Sequence, residues 1–532
     1  MTPNSRIFSG LTCLALSLMT RSASAQSPRE CAALSKLTLP RTTIHSAELI
    51  NSGSFTPPGE KPLKGLPGFC RVSLTVEPSI NVEVWMPESG WDGRFRGIGG
   101  SGYAGFIEWN ALAGALKEGS AVANTDSGHM GNVSTGAFAF DAQGHVDMDR
   151  VVTFASRSLF EMTRKAKAVV AAFYGRPADH SYWSGCSTGG RQGLMQVQRT
   201  PDAYDGVIAG APAINWERFI AAEIWPQIVM NEILGAPLSQ SKWDLVNQAA
   251  LEACDAGDGL KDGLVSNPAQ CNYDPAALRC KERDDPAICL GDEEIEAVRK
   301  VWEGPRRADG TRIWSGIDPT VTNVVLAGER AFPIAADHAR WVMDDAKFDW
   351  HSLTMADFPA FFDKSVARFN DVIGTDEADI SAFRDAGGKL ILWHGLADQF
   401  IFPAGTIDYY QRVVANTGTL AQTQEFARLF LAPGTQHCGG GPGPNAFGSR
   451  ESRLPVTVAV KMDADHDLFH ALVRWVENGV APEKIIAAHY KDNDPAKGIE
   501  RTRPLCLYPT VATYKGAGDT NDATNFECTM QR

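Results

Sequence analysis

The chain has 532 residues, 44% hydrophobic and 21% charged, which is enough for one large decorated domain or for several small ones. Its net charge of −13 leaves no basic excess for phosphate contact and excludes a general nucleic-acid binder. No stretch approaches the roughly 20 consecutive apolar residues of a membrane span. At the start, Arg6 supplies a short positive region, residues 7–19 a largely apolar run, and Ala23-Ser24-Ala25 an A-x-A cleavage site. Residues 1–25 therefore read as a signal peptide, with Gln26 first in an exported chain, secreted or periplasmic. Of eleven cysteines Cys13 leaves with that segment, and the ten that remain suit five disulfides in an oxidising compartment. No C-x-x-C pair is present, so a zinc or redox motif has no support.

From about residue 69 to residue 215 short apolar runs alternate with helical ones. "VSLTVEP" and "NVEVWMP" have the β-branched alternation of strands. "FRGIGGSGYAG" is a strand end entering a glycine-rich loop, and "SAVANTDSGH" is a strand leading to another loop. Leu159 to Tyr174 carries apolar residues at helical spacing. "HSYWSG" is a short strand, "GGRQGLMQVQRT" a helix start and "YDGVIAGAPA" a further strand. Strands alternating with helices predict a mainly parallel sheet with right-handed crossovers. Between residues 216 and 384 this rhythm is lost in a segment rich in Trp, Asp and Pro that holds four cysteines. Afterwards "KLILWHG" and "ARLFLAPG" are buried strands, and residues 463–478 form an amphipathic helix. The organisation predicted is an α/β domain, residues 26–215 and 385–532, interrupted by a lid domain, residues 216–384.

"GCSTGGRQG" places Ser187 in a G-x-S-x-G frame at a predicted strand–turn–helix junction, the context of a nucleophile elbow. Such a turn exposes the serine Oγ above the sheet and aims the backbone N–H of Thr188 at a developing oxyanion. A serine needs a base and the base an orienting carboxylate. In chain order, "LILWHGLADQF" offers Asp398 after one buried strand, and "LFLAPGTQHCGGGPG" offers His437 after the next. His394 precedes the acid and reads as pocket-lining or structural, and His129 as a loop histidine bound to a backbone carbonyl. Cys186 precedes Ser187 and Cys438 follows His437. If serine and histidine meet, these two cysteines come within disulfide reach and staple the two loops.

With "GCSTGGRQG", "YDGVIAGAPA", "LWHGLADQFI", "RWVENGVAPEKIIA" and "RTRPLCLYP", the chain resembles the tannase/feruloyl esterase family over essentially its whole mature length. That family includes hydrolases of mono(2-hydroxyethyl) terephthalate. The resemblance implies an α/β-hydrolase fold and a serine carboxylic ester hydrolase acting on aromatic, phenolic or hydroxycinnamic esters. A terephthalate-type monoester is the alternative, and a catalytically silent, calcium-stabilised binding protein the competing class. It also implies the pairs Cys31–Cys70, Cys254–Cys271, Cys280–Cys289 and Cys506–Cys528. The second oxyanion donor should come from "GIGGSGYAG", with Gly102 the first choice and Gly100 the second.

"CDAGDGLKDGLVSNPAQC" puts Asp255, Asp258 and Asp262 on one tight turn, hard oxygen ligands suited to Ca2+. The spacing and the missing closing glutamate reject an EF-hand. The resemblance implies a structural lid calcium there, with the carbonyls of Leu260 and Leu264 as further ligands, and no organic cofactor. Lid aromatics, including Trp302, Trp314, Phe332, Trp341 and Trp350, suit an aromatic acyl group, although most belong to lid core. Arg330 in "GIDPTVTNVVLAGERAF" is a candidate clamp for a free carboxylate, or a surface ion pair. Thr188 is neutral where terephthalate-type relatives can carry an acidic residue. Oligomeric state stays open.

Overall fold

The computed structural model describes residues 30–448 and 457–530, so the expected signal peptide lies outside the described residues. The strands of the central sheet are β1 (Thr42–Ile50), β2 (Phe69–Val76), β3 (Ile80–Pro87), β4 (Arg94–Ile98), β5 (Ala121–Thr125), β6 (His180–Cys186), β7 (Gly206–Gly210), β8 (Lys389–Gly395) and β9 (Ala427–Ala432). They form one sheet in the order β1-β2-β3-β5-β4-β6-β7-β8-β9. The pairs from β1 to β5 are antiparallel and all those from β5 to β9 parallel. The predicted parallel sheet thus occupies one half, preceded by an antiparallel meander. β7 is buried at every residue and β8 at all but its first, as strands covered on both faces must be.

Alternation along the strands separates two cores. Trp183, Val207 and Leu392 face α2 (Ser158–Tyr174) and α3 (Thr188–Arg199), while Tyr182, Ile208 and Trp393 face the opposite layer. On that opposite side Ile98 and Val122 pack on α1 (Trp109–Lys117). This two-sided cover fixes which way each strand end points, and the carboxyl ends of β6, β8 and β9 carry the loops of interest.

The insertion is helical: α4 (Trp216–Glu223), α5 (Trp225–Leu234), α6 (Gln240–Cys254), α7 (Asp292–Glu303), α8 (Pro333–Met343) and α9 (Phe358–Ile373). α5 has Pro226 in its first turn, where a missing N–H costs nothing, and stops at Gly235 in the left-handed region. The lid core is continuous with the sheet domain, because Tyr103, Phe154 and Trp216 join the same buried cluster as Trp243, Val298 and Trp341. Residues 135–146 are part of the lid's seat: Asp337 accepts from Thr135 Oγ1 at 2.9 Å and from the Gly136 N–H at 2.8 Å.

After the lid come α10 (Pro403–Thr417) and α11 (Leu468–Asn478). α11 is shorter than the helix predicted over 463–478, because the Asp467 carboxylate accepts the His470 N–H and caps the helix there. Among the described residues no helix is long and apolar enough to cross a membrane.

Candidate active site

Ser187 sits between the end of β6 and the start of α3 with φ 62° and ψ −125°, a strained backbone that only a tight elbow imposes. Its own N–H donates to the Gly210 carbonyl at 3.0 Å, and its carbonyl accepts from Ala213 and Arg191, each at 3.0 Å. These bonds hold the strain. The turn closes only because the backbone on either side is bare: a Cβ on Gly99 would stand 2.4 Å from the Cα of Gly189.

Asp398, on the loop after β8, is 1% exposed. Its Oδ1 accepts the N–H groups of Phe400 and Ile401, both at 2.9 Å, and its Oδ2 accepts His437 Nδ1 at 2.7 Å. Burial alone would raise this carboxyl, but the charges and hydrogen bonds of His437 and His394 outweigh it and hold it below the usual carboxylate range. The His437 backbone N–H donates to Gln399 Oε1 at 3.1 Å, so acid loop and histidine loop are tied twice. With Nδ1 committed to Asp398, Nε2 of His437 is the nitrogen left for a serine hydroxyl.

The Cys186–Cys438 disulfide holds the residues adjoining Ser187 and His437 at a Cα separation of 5.9 Å across 252 residues of chain. The other four pairs are Cys31–Cys70, Cys254–Cys271, Cys280–Cys289 and Cys506–Cys528. Cys438 has φ 58° and Gly439 to Gly441 follow with positive φ, a run that glycine adopts without strain, and the staple adds a covalent restraint to the histidine loop.

The oxyanion loop separates the two glycines. The Gly100 N–H donates to Gln192 Oε1 at 2.8 Å and is therefore not free for an oxyanion, which corrects the second choice. Gly102 has φ +50°, a Cβ there would meet the Val133 carbonyl at 2.4 Å, and its N–H has no partner among the described residues. Thr188 Oγ1 donates to the Gly102 carbonyl at 2.6 Å, so one residue supplies a candidate backbone donor and positions the other. Thr188→Val removes that bond and frees the half-buried Gly102 carbonyl to move. Steady-state kinetics should show kcat down by roughly tenfold with KM nearly unchanged. A wild-type kcat would mean the bond does not position Gly102.

Sequence reading missed Arg191, one turn into α3. It is fully buried, its guanidinium donates once, to the Ala155 carbonyl at 2.9 Å, and it lies over the rings of Phe154 and Trp216. Burial pushes its pKa down to about 9, so it stays cationic at neutral pH beneath the elbow. His129 stacks its ring on Phe138 at 3.6 Å, and burial pushes its pKa down to about 4 against the opposing pull of the Ser127 and Tyr103 backbone. Phe400 and Phe332 form an aromatic path to the site, with ring centroids 5.0 Å apart and Phe400 5.5 Å from His437.

Trp341 is wholly buried, as lid core. The Trp314 ring and the Asn215 amide both lie over Gly405. Arg330 is exposed and borders a lid groove with Gln227 and Trp350, and no hydrogen bond or ion pair joins it to the triad candidates among the described residues. A cavity of about 930 Å³ reaches Asp398, Phe402 and Trp302 but neither Ser187 nor His437, so it lies beside the site rather than forming the acyl pocket.

In the acidic turn, Gly259 and Gly263 take φ 93° and 80° and the Asp255 side chain is buried. Asp255 Oδ1 accepts the N–H groups of Asp262 (3.1 Å) and Gly263 (2.9 Å), which wraps the turn around its carboxylate. Carboxylate oxygens gathered on one turn are the hard donors a Ca2+ takes. Asp262 also pairs with Arg503, and the Asp258 side chain lies outside the described residues.

A strained serine at a strand-to-helix turn, followed by an acid and a histidine on the loops after two later parallel strands, defines an α/β-hydrolase. The family model for tannase and feruloyl esterase matches residues 67–529. A probable feruloyl esterase of Arthroderma benhamiae is 35% identical, over 97% of each chain. The mono(2-hydroxyethyl) terephthalate hydrolase of Piscinibacter sakaiensis is 33% identical over 87% of this chain and 85% of its own. The crystal structure of feruloyl esterase B from Aspergillus oryzae superposes with a TM-score of 0.84 at 27% identity, covering 95% of this chain and all of the other. The chain belongs to the tannase and feruloyl esterase family and is a carboxylic ester hydrolase.

Proposed function

We propose that the protein hydrolyses esters of phenolic or hydroxycinnamic acids through an acyl-enzyme on Ser187. One observation carries the reading: the hydrogen-bonded pair Asp398–His437 is stapled by Cys186–Cys438 to the residue before a strained Ser187. His437 Nε2 takes the Ser187 proton as Oγ attacks the ester carbonyl, and Asp398 stabilises the imidazolium that forms. The N–H groups of Thr188 and Gly102 receive the oxyanion, at the positive end of α3 and above the buried Arg191. His437 returns the proton to the departing alkoxide, and a water activated by the same imidazole then releases the acid.

An aromatic acyl group is supported by the Phe332–Phe400–His437 path and by the feruloyl esterases among the relatives. The second reading, a terephthalate-type monoester, is supported by one relative and would use Arg330 and Trp314 on the far carboxylate. A kinetic panel of methyl ferulate, methyl gallate and mono(2-hydroxyethyl) terephthalate separates them. The expected result is a kcat/KM for ferulate or gallate at least about tenfold above the terephthalate ester, a gap of one good polar contact. The reverse ranking favours the second reading.

Asp255, Asp258 and Asp262 with the carbonyls of Leu260 and Leu264 are the proposed holders of a structural Ca2+. When bound, that ion would brace the lid turn and supply no chemistry to the ester. Chelation should lower Tm, restored by added Ca2+, while kcat at low temperature changes little. An unchanged Tm together with metal-free protein by elemental analysis would remove the ion. Export to an oxidising compartment is supported by the five disulfides.

A further inference from the structure

We propose that His394 is a positioning residue for the catalytic acid: a fixed Nε2–H donor that shares Oδ2 of Asp398 with His437. The inference rests on the triad reading above. His394 is the penultimate residue of β8, four residues before Asp398, and its side chain has no exposure at all.

The hydrogen bonds assign its tautomer. Nε2 faces Asp398 Oδ2 at 3.1 Å and the Ile401 carbonyl at 2.9 Å, two acceptors with nothing to donate. Nε2 must therefore carry the proton. Nδ1 meets Thr406 Oγ1 at 2.8 Å, a hydroxyl that can donate and so completes the ring's bonding without a second proton. Thr406 belongs to α10 and is fully buried, so the imidazole is pinned between strand, acid loop and helix.

Asp398 consequently receives four donors. The N–H groups of Phe400 and Ile401 occupy Oδ1, and the two imidazoles share Oδ2. Two consequences follow. The carboxylate cannot rotate its Oδ2 away from His437 without breaking the bond to His394. The extra donor also draws charge from Oδ2, which weakens its pull on the proton of His437 and keeps that imidazole a usable base. The ionisable groups acting on Asp398 are His437 and His394, and the buried Glu223 of α4 feels its charge. Burial and the Asp398 charge raise the Glu223 carboxyl well above its ordinary range, which keeps a second negative charge off the acid.

The test compares His394→Gln, which keeps a donor near Nε2, with His394→Phe, which fills the space without one. Turnover of an activated aryl ester is followed against pH, with Tm recorded for each variant. The expected result for His394→Phe is kcat lower by roughly tenfold or more, KM within about twofold, and the acid limb of kcat/KM moved to higher pH. The direction follows because an unshared Oδ2 stabilises the His437 imidazolium more. His394→Gln should recover most of both effects.

Equal losses in the two variants that track Tm, with an unmoved pH profile, would overturn the proposal in favour of packing alone. Wild-type kcat in His394→Phe would overturn it as well. If His394→Phe does not fold, Thr406→Val decides. The two acceptors still hold the proton on Nε2, but without the hydroxyl the ring loses the bond that fixes it against Oδ2, so a smaller upward shift of the acid limb is expected, and no shift overturns the proposal. Failure of the triad reading itself would show separately, as full turnover by Ser187→Ala.

Discussion

Asp398→Asn should lower kcat by about 10⁴-fold while leaving KM and the fold nearly intact. The substitution is close to isosteric, and the amide oxygen can still accept the N–H groups of Phe400 and Ile401 at the Oδ1 position. Its NH2 would then face two imidazole N–H donors, those of His437 and His394, where Oδ2 accepted both. Donor against donor forces the proton of His437 to the other nitrogen, and Nε2 can no longer take a proton from Ser187. The wild-type carboxyl lies below its ordinary range, so its ionised contribution to stability is complete above its unfolded pKa and is lost only as pH falls through the folded one. A pH profile of kcat/KM should therefore show no limb from Asp398 near neutrality. A kcat within tenfold of wild type in Asp398→Asn would assign the acid elsewhere.

Replacing both Cys186 and Cys438 by Ala should lower kcat by roughly tenfold to a hundredfold with a smaller change in KM, because a misplaced base costs rate more than binding. The glycines that follow Cys438 let His437 wander once the staple is gone. Stability should fall too, since the bond closes a loop of 252 residues, by an amount of about 5 kcal/mol on the chain-entropy model. The control is the pair Cys31 and Cys70, which ties the start of the described chain to β2 and touches no site residue. Its removal should lower Tm and leave kcat unchanged, as read by calorimetry and steady-state kinetics on the same samples. Equal effects of the two double variants on kcat would make the Cys186–Cys438 bond a general stabiliser only.

Legibility of the fold followed burial. β6, β7, β8 and β9 are short, apolar and buried on both faces, so their runs stand out. β1 was not anticipated, because an edge strand exposed along much of its length keeps a mixed pattern. The lid helices were also not anticipated. Their apolar faces meet one another and the seat around Tyr103 and Phe154, so the helical period is blurred by long connections rich in Pro and Asp.

At the site, the residues whose neighbours carry a signal were readable: Ser187 by its glycines, His437 by the adjacent cysteine, Asp398 by chain order. Gly102 ranked above Gly100, but Gly100 stayed a candidate, because what removes it is the Gln192 side chain reaching back from α3. The bond from His394 to Asp398 was invisible for the same reason. It depends on how β8 ends and on a threonine from α10.

The most direct test is labelling with a fluorophosphonate followed by peptide mass mapping, run beside ester turnover by Ser187→Ala. The expected result is one adduct per chain, on Ser187, blocked by prior acylation with substrate, and turnover by Ser187→Ala reduced to a trace. An adduct on another residue, or Ser187→Ala hydrolysing the ester at the wild-type rate, would contradict it.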